Sequence, residues 1–119
     1  MNPLIDIIDQ TKTEMRRGLI VLSTLALLDK PHYGYSLIQT LESSGIPIEG
    51  NTLYPLLRRL EKQGLLESSW EVDATKPRKY YQITKDGHKV LIELVQAWNQ
   101  SKNSITNILG GTTNESPND

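Results

Sequence analysis

Leucine recurs at positions 53, 56, 57 and 60 of this chain, while Thr52, Pro55, Arg58, Arg59 and Lys62 fall between them. Steps of three and four residues gather the leucines on one side of an α-helix and turn the polar and cationic residues to the other. A strand could not sort this segment, because a period of two would mix leucine with arginine on both faces. A helix from about Asn51 to Gln63 is therefore expected, with Gly64 as its C-terminal cap. Pro55 suits the first turn if Asn51 is the N-cap, and kinks the helix if the helix starts earlier.

The segments on either side of this helix are read from the same periodicities. Upstream, Leu4, Ile8, Thr11, Met15, Leu19, Leu22 and Ala26 repeat at helical spacing, so one helix or two abutting helices are expected from Leu4 to Leu28. Asp29-Lys30-Pro31 ends that stretch. A short helix from about Tyr33 to Ser43 buries Leu37, Ile38 and Leu41 and stops at Ser44-Gly45. Downstream, Leu66, Trp70 and Val72 alternate with Glu67, Ser69 and Glu71, and Lys79 to Ile83 supplies a second strand after a polar loop. These make a two-stranded antiparallel hairpin that must lean on the helices. Thr84 caps a last long helix whose seam is Leu91, Leu94, Trp98, Ser101, Ile105 and Ile108, a heptad spacing with one polar interruption. Gly110-Gly111 is read as its end.

Three helices, a hairpin and a further helix describe a mainly α fold, a winged helix-turn-helix with a long C-terminal dimerisation helix. The corresponding division is 1–84 for the DNA-binding unit including the N-terminal helix, 85–110 for the dimerisation helix and 111–119 for a disordered tail. In such a unit the later helix of the helix-turn-helix enters the major groove. Asn51, Thr52, Pro55, Arg58, Arg59 and Lys62 are then the outward groups that reach base edges or phosphates. From Ala74 to Lys85 the chain has Lys76, Arg78, Lys79 and Lys85 and no acidic residue, a basic wing tip suited to a phosphate backbone.

Composition excludes more than it proposes. The net charge of −1 counts mildly against a nucleic-acid partner, so the local placement of cations carries that argument. There is no Cys, hence no disulfide, thiolate metal site or Cys nucleophile, which suits a reducing compartment. No signal peptide or membrane-length apolar run is visible, and a soluble cytoplasmic protein is expected. His32 reads as a turn residue and His88 as solvent-facing; neither has metal-ligand spacing, so no metal and no cofactor is expected. Glu42 and Glu61 read as exposed helix charges. No nucleophile, base and orienting group stand together, so the chain is not read as an enzyme.

Several stretches in combination carry a resemblance: Arg16-Arg17-Gly18-Leu19; Pro31-His32-Tyr33-Gly34-Tyr35-Ser36-Leu37; the run from Thr52 to Leu66; Trp70; and Pro77-Arg78-Lys79-Tyr80-Tyr81-Gln82-Ile83-Thr84-Lys85-Asp86-Gly87. Over about residues 12–100 the chain resembles PadR-family transcriptional regulators of the short type. The resemblance implies a homodimer in which the last helix packs on the partner's N-terminal helix, and repression of transcription relieved by a small molecule. By motif position it assigns double-stranded DNA contacts to Tyr35, Ser36, Thr52, Tyr54, Pro55 and Arg58, and to Lys76, Arg78 and Lys79 in the wing. Where the family often opens the recognition helix with Ser or Thr, this chain has Glu49-Gly50-Asn51, which brings a carboxylate close to DNA.

The dimer interface is expected to use Ile8, Met15, Leu91, Leu94, Trp98, Ile105 and Ile108. The resemblance implies a second reading of Trp98: in one branch of the family a Trp at the matching place flanks a pore at the dimer interface. Trp98 would then form one wall of a ligand pocket with Ile8, Thr11 and Met15, its indole face stacking on a planar aromatic or phenolic effector. Of Tyr33 and Tyr35, one ring is expected under the wing, and Tyr35 nearer DNA; Gly34 between them is expected to let two backbones approach. The competing reading of the whole chain is a winged-helix protein-interaction module without DNA.

Overall fold

The computed structural model of the chain describes residues 2–72 and 75–115, with side chains as far as residue 110. In chain order the elements are α1 (Pro3–Leu27), β1 (His32–Tyr33), α2 (Gly34–Ser43), α3 (Gly50–Lys62), β2 (Leu66–Glu71), β3 (Arg78–Ile83) and α4 (Lys85–Glu115).

The first helix is continuous. Asn2 caps it by accepting the Leu4 N–H at 3.0 Å, and Pro3 occupies the first turn, where a missing N–H costs nothing. α2 and α3 each end in a glycine turn, with Gly45 at φ 91° and Gly64 at φ 81°, the left-handed backbone that terminates helices. The start of α3 differs from the expectation. Gly50 is its first residue and Glu49 its N-cap, without a side-chain bond, so Asn51 lies inside the helix and does not cap it. The Glu49 carbonyl accepts the N–H groups of Thr52 and Leu53, and the helix runs on through Pro55.

The sheet has three strands and not two. β3 is central, pairing antiparallel with β2 from Leu66↔Ile83 to Glu71↔Arg78, and with β1 through His32↔Tyr81 and Tyr33↔Tyr80. His32 is thus a strand residue. A two-residue strand shows no alternation, so only the open edge of β3 reveals it. The Ile83 N–H bonds to the Leu28 carbonyl at 2.8 Å, which draws the chain leaving α1 onto that edge.

Leucines from every helix except α4 close the core: Leu25 and Leu28, Leu37 and Leu41, and Leu53, Leu57 and Leu60, joined by Leu66 and Tyr81 of the sheet. Each fully buried leucine contributes roughly 1.5–3 kcal/mol relative to exposure. Leu56 is only half-buried, as are Val90, Leu91 and Leu94, by which α4 packs onto the same core. Thr84 caps α4, its hydroxyl accepting the Gly87 N–H at 3.0 Å and donating to the Gly64 carbonyl at 2.6 Å. Gly87 is buried where a Cβ would stand 2.1 Å from the Leu65 carbonyl oxygen, so the start of α4 closes directly on the α3–β2 turn.

The far end of α4 corrects another expectation. Gly110-Gly111 does not end the helix, which continues to Glu115. Glycine in a helix costs about 1 kcal/mol against alanine, and terminates it only where the backbone turns left-handed. Of the tail expected to be disordered, residues 111–115 are helical, and 116–119 lie outside the described residues. No helix among the described residues is long and apolar enough to cross a membrane.

Candidate nucleic-acid interface

α3 lays its leucines on the core and leaves Asn51, Pro55, Arg58 and Lys62 exposed along one outward line. Thr52 and Arg59 are exposed too, but turned sideways: with Pro55 and Leu56 they line a groove against Arg17, Gly18, Ile20 and Val21 of α1. At 100° per residue, Thr52 and Arg59 stand well off the line through Asn51, Pro55, Arg58 and Lys62. The six outward residues named from the sequence therefore divide between a central row and one flank.

On the other flank, Tyr54 leans toward the start of α2. A Cβ on Gly34 would stand 2.4 Å from the Tyr54 ring. The close approach expected at Gly34 is thus real, but it admits an aromatic ring and not a second backbone. Tyr54 in this position forms one wall of a cleft of about 910 Å³ between the α2 N-terminus and the wing. The cleft gathers Tyr35, Ser36, Tyr54, Lys76, Arg78 and Lys79 of the sequence-named residues, and adds Trp70. Tyr35 is 67% exposed there. The α2 N-cap, Tyr33, makes no side-chain capping bond, so α2 begins beside these cations without a cap from that side chain. A helix start of this kind favours an anion.

Trp70, whose alternation with Ser69 and Glu71 marked the strand, is 60% exposed, and Val72 is more so. Leu66 is the inward residue of β2; toward the hairpin tip the same face lines the cleft.

The wing is braced on both faces. On one, the Tyr33 ring stacks on Tyr80 with centroids 4.2 Å apart, and Arg78 lies 5.0 Å over the Tyr33 ring. The Tyr33 hydroxyl donates to Glu71, so at 2.6 Å the Tyr80 hydroxyl is the donor to Tyr33. Those bonds, to Glu71 first and Tyr80 second, raise the Tyr33 phenol well above its ordinary pKa. Tyr33 is thus the tyrosine packed on the wing, while Tyr35 stands open. Ser36 donates to the Tyr33 carbonyl at 3.1 Å, which leaves His32 Nδ1, 3.3 Å from the same hydroxyl oxygen, as a donor. On the opposite face, Lys79 Nζ lies 3.6 Å from Glu61 of α3 and 5.3 Å from the Tyr81 ring centroid. Glu61 also accepts the Ser68 hydroxyl, so it is half-buried and bonded, and not the free surface charge expected of it.

The residues named for a dimer interface fall into two sets. Leu91 and Leu94 are half-buried against the chain's own core, while Ile8, Met15, Trp98, Ile105 and Ile108 are exposed. Thr11 is exposed on the same helix as Ile8 and Met15, and its hydroxyl donates to the Ile7 carbonyl at 2.7 Å. Trp98 is 44% exposed, with Lys102 Nζ 4.7 Å over its ring. His88 is exposed, and no group of three or more metal-ligating side chains occurs among the described residues.

Residues 21–93 match the model of the transcriptional regulator PadR-like family. A transcriptional regulator from Mycobacterium tuberculosis is 36% identical over 81 residues, covering 67% of this chain and 76% of that protein. Among solved structures, a PadR family transcriptional regulator from Eggerthella lenta is 46% identical with a TM-score of 0.85, over 90% of this chain and 96% of that one. A PadR-like transcriptional regulator from Bacillus cereus is 30% identical with a TM-score of 0.74, over 81% and 96% respectively.

Proposed function

The chain belongs to the PadR-like family of transcriptional regulators, which bind DNA and are not enzymes, and from that premise we propose that it is a homodimeric, sequence-specific repressor released by a small molecule. The observation that carries the DNA-contact assignment is the cleft beside α3. A row of Asn51, Pro55, Arg58 and Lys62 stands next to a helix start, a ring of tyrosines and the wing cations Lys76 and Arg78. The row is suited to base edges in the major groove, and the cleft to the adjoining phosphates. Glu49, the N-cap of α3, lies with Thr52 on the α1 flank of this row, where a carboxylate near DNA would select among sequences rather than add affinity.

Two copies would join through the apolar rows on α1 and α4 and hold their recognition helices about one DNA turn apart, so the operator would be an inverted repeat with half-sites ~10 bp apart or a multiple of that. Effector binding at Trp98 is the finer part of the reading. Lys102 already lies over one indole ring, so a planar effector would take the opposite face or displace that lysine.

Selection of binding sites from a random DNA pool at physiological salt tests the reading. Enrichment of an inverted repeat is expected; recovery of no sequence above background overturns it in favour of the protein-interaction module. On the selected site, Arg58→Ala should cost about 1–3 kcal/mol, with relaxed specificity at one position if Arg58 reads a base, or a salt slope lower by about 1 if it holds a phosphate. No change in either removes Arg58 from the interface.

A further inference from the structure

The one ion pair among the described residues joins the recognition helix to the wing, Lys79 of β3 to Glu61 of α3. Glu61 lies in the last turn of α3, where a carboxylate meets the negative end of the helix dipole. That position is unfavourable for it unless cations and donors offset the dipole. It is offset by Lys79 and by the Ser68 hydroxyl, which donates to the same carboxylate. The register puts Ser68 opposite Tyr81 and Trp70 opposite Lys79, so Ser68 and Lys79 lie on the same sheet face and converge on one α3 side chain. Arg78, next along β3, points to the other face and lies over Tyr33.

Alternation along β3 therefore separates two cations that the sequence presents as one patch. Resting on the DNA-binding reading above, we propose that Glu61 is a positioning residue: it seats the wing on the recognition helix and withholds Lys79 from the phosphate backbone. The charge of Lys79 is spent on α3, and Lys76 and Arg78 are left as the wing's phosphate contacts. This arrangement ties wing position to helix position, which favours sites whose groove geometry suits both and disfavours indiscriminate phosphate binding.

The test is a double-mutant cycle of Glu61→Gln and Lys79→Ala, read as the salt dependence of binding to a random duplex and to the selected site. Glutamine keeps the shape and the acceptor for Ser68 but frees the lysine. One added phosphate contact steepens the slope of log affinity against log salt by about 0.9, an extra loss of roughly threefold between 50 and 200 mM salt. Glu61→Gln is expected to show that steepening and to narrow the preference for the selected site over random DNA. Lys79→Ala is expected to lower the slope more in the Glu61→Gln background than in the natural one. Equal effects of Lys79→Ala in both backgrounds overturn the proposal, as does an unchanged slope in Glu61→Gln. Thermal melting checks that each variant folds; if Glu61→Gln does not, Glu61→Asp draws the carboxylate back from the wing and is held to the same two outcomes. Failure of the natural protein to bind any duplex overturns the DNA-binding reading itself, whereas normal binding with additive variants overturns only the role of Glu61.

Discussion

The leucines of α3 and the seam of α4 share the same spacing of three and four residues, yet Leu53, Leu57 and Leu60 are buried while Trp98, Ile105 and Ile108 are exposed. The difference lies in what the chain can bring to each face. α3 is met by α2 and β2, and its leucines share one core with Leu25 and Leu28, whereas α4 beyond Leu94 leaves the core behind. The first half of α1 matches that outer region, exposing Leu4, Ile5, Ile7, Ile8 and Met15. Helical spacing states which side of a helix is apolar. It does not state which surface covers that side, and among the described residues the outer apolar rows of α1 and α4 stay largely exposed.

This contrast is best broken at its two poles. Leu57→Ala should lower unfolding free energy by about 2–5 kcal/mol, since it removes buried methyl groups and leaves a cavity, as denaturant titration will measure. A loss under about 1 kcal/mol would mean that the inner region is looser than its packing indicates. Trp98→Ala, in the outer region, should raise the dimer dissociation constant at least about thirtyfold, as expected for a central aromatic anchor. Sedimentation across a concentration series reads this. An unchanged assembly, or a monomeric natural protein, would require another explanation for the outer apolar rows.

Smaller effects sharpen the same contrast. Thr24 is fully buried in α1 and its hydroxyl has no hydrogen-bond partner among the described residues, a polar flaw inside the well-covered region. Thr24→Val replaces that hydroxyl with a methyl of similar shape and should stabilise the fold by up to about 1 kcal/mol on thermal melting. Destabilisation would reveal a partner for the hydroxyl.

At the wing, the Tyr33 phenol is raised by its bonds to Glu71 and Tyr80. The folded state thus favours the neutral phenol. That contribution is complete below the unfolded tyrosine pKa of about 10 and is lost as pH climbs through the higher folded value. An ultraviolet phenolate titration should therefore lose its latest component in Tyr33→Phe. A late component that survives in that variant belongs to another tyrosine.

Long, strongly patterned elements were legible because burial and period agree: the leucine face of α3, the caps at Thr84 and Gly64, and the order of helices and strands. The cationic cleft was legible in its residues, since Tyr35, Ser36, Tyr54, Lys76, Arg78 and Lys79 come together as named. β1 was not legible, because two residues carry no period and the bonds that define it belong to β3. Nor was the bonding of Glu61, whose partner Lys79 is remote in sequence and whose setting depends on how the wing closes on α3. Gly110-Gly111 misled because two glycines weaken a helix without ending it.

By itself, the amino-acid sequence determined which side of each helix is apolar, where the caps and turns fall, and which residues supply positive charge. Those properties are local: a side chain's period, a capping hydroxyl or a glycine's backbone acts within a few residues. Only the tertiary structure decided that Lys79 turns inward to Glu61 while Arg78 turns outward, that Trp70 lines a cleft rather than the core, and that Thr52 and Arg59 face α1. Each of these depends on the sheet's register and on the placing of one element against another, and so on contacts between residues far apart in the chain.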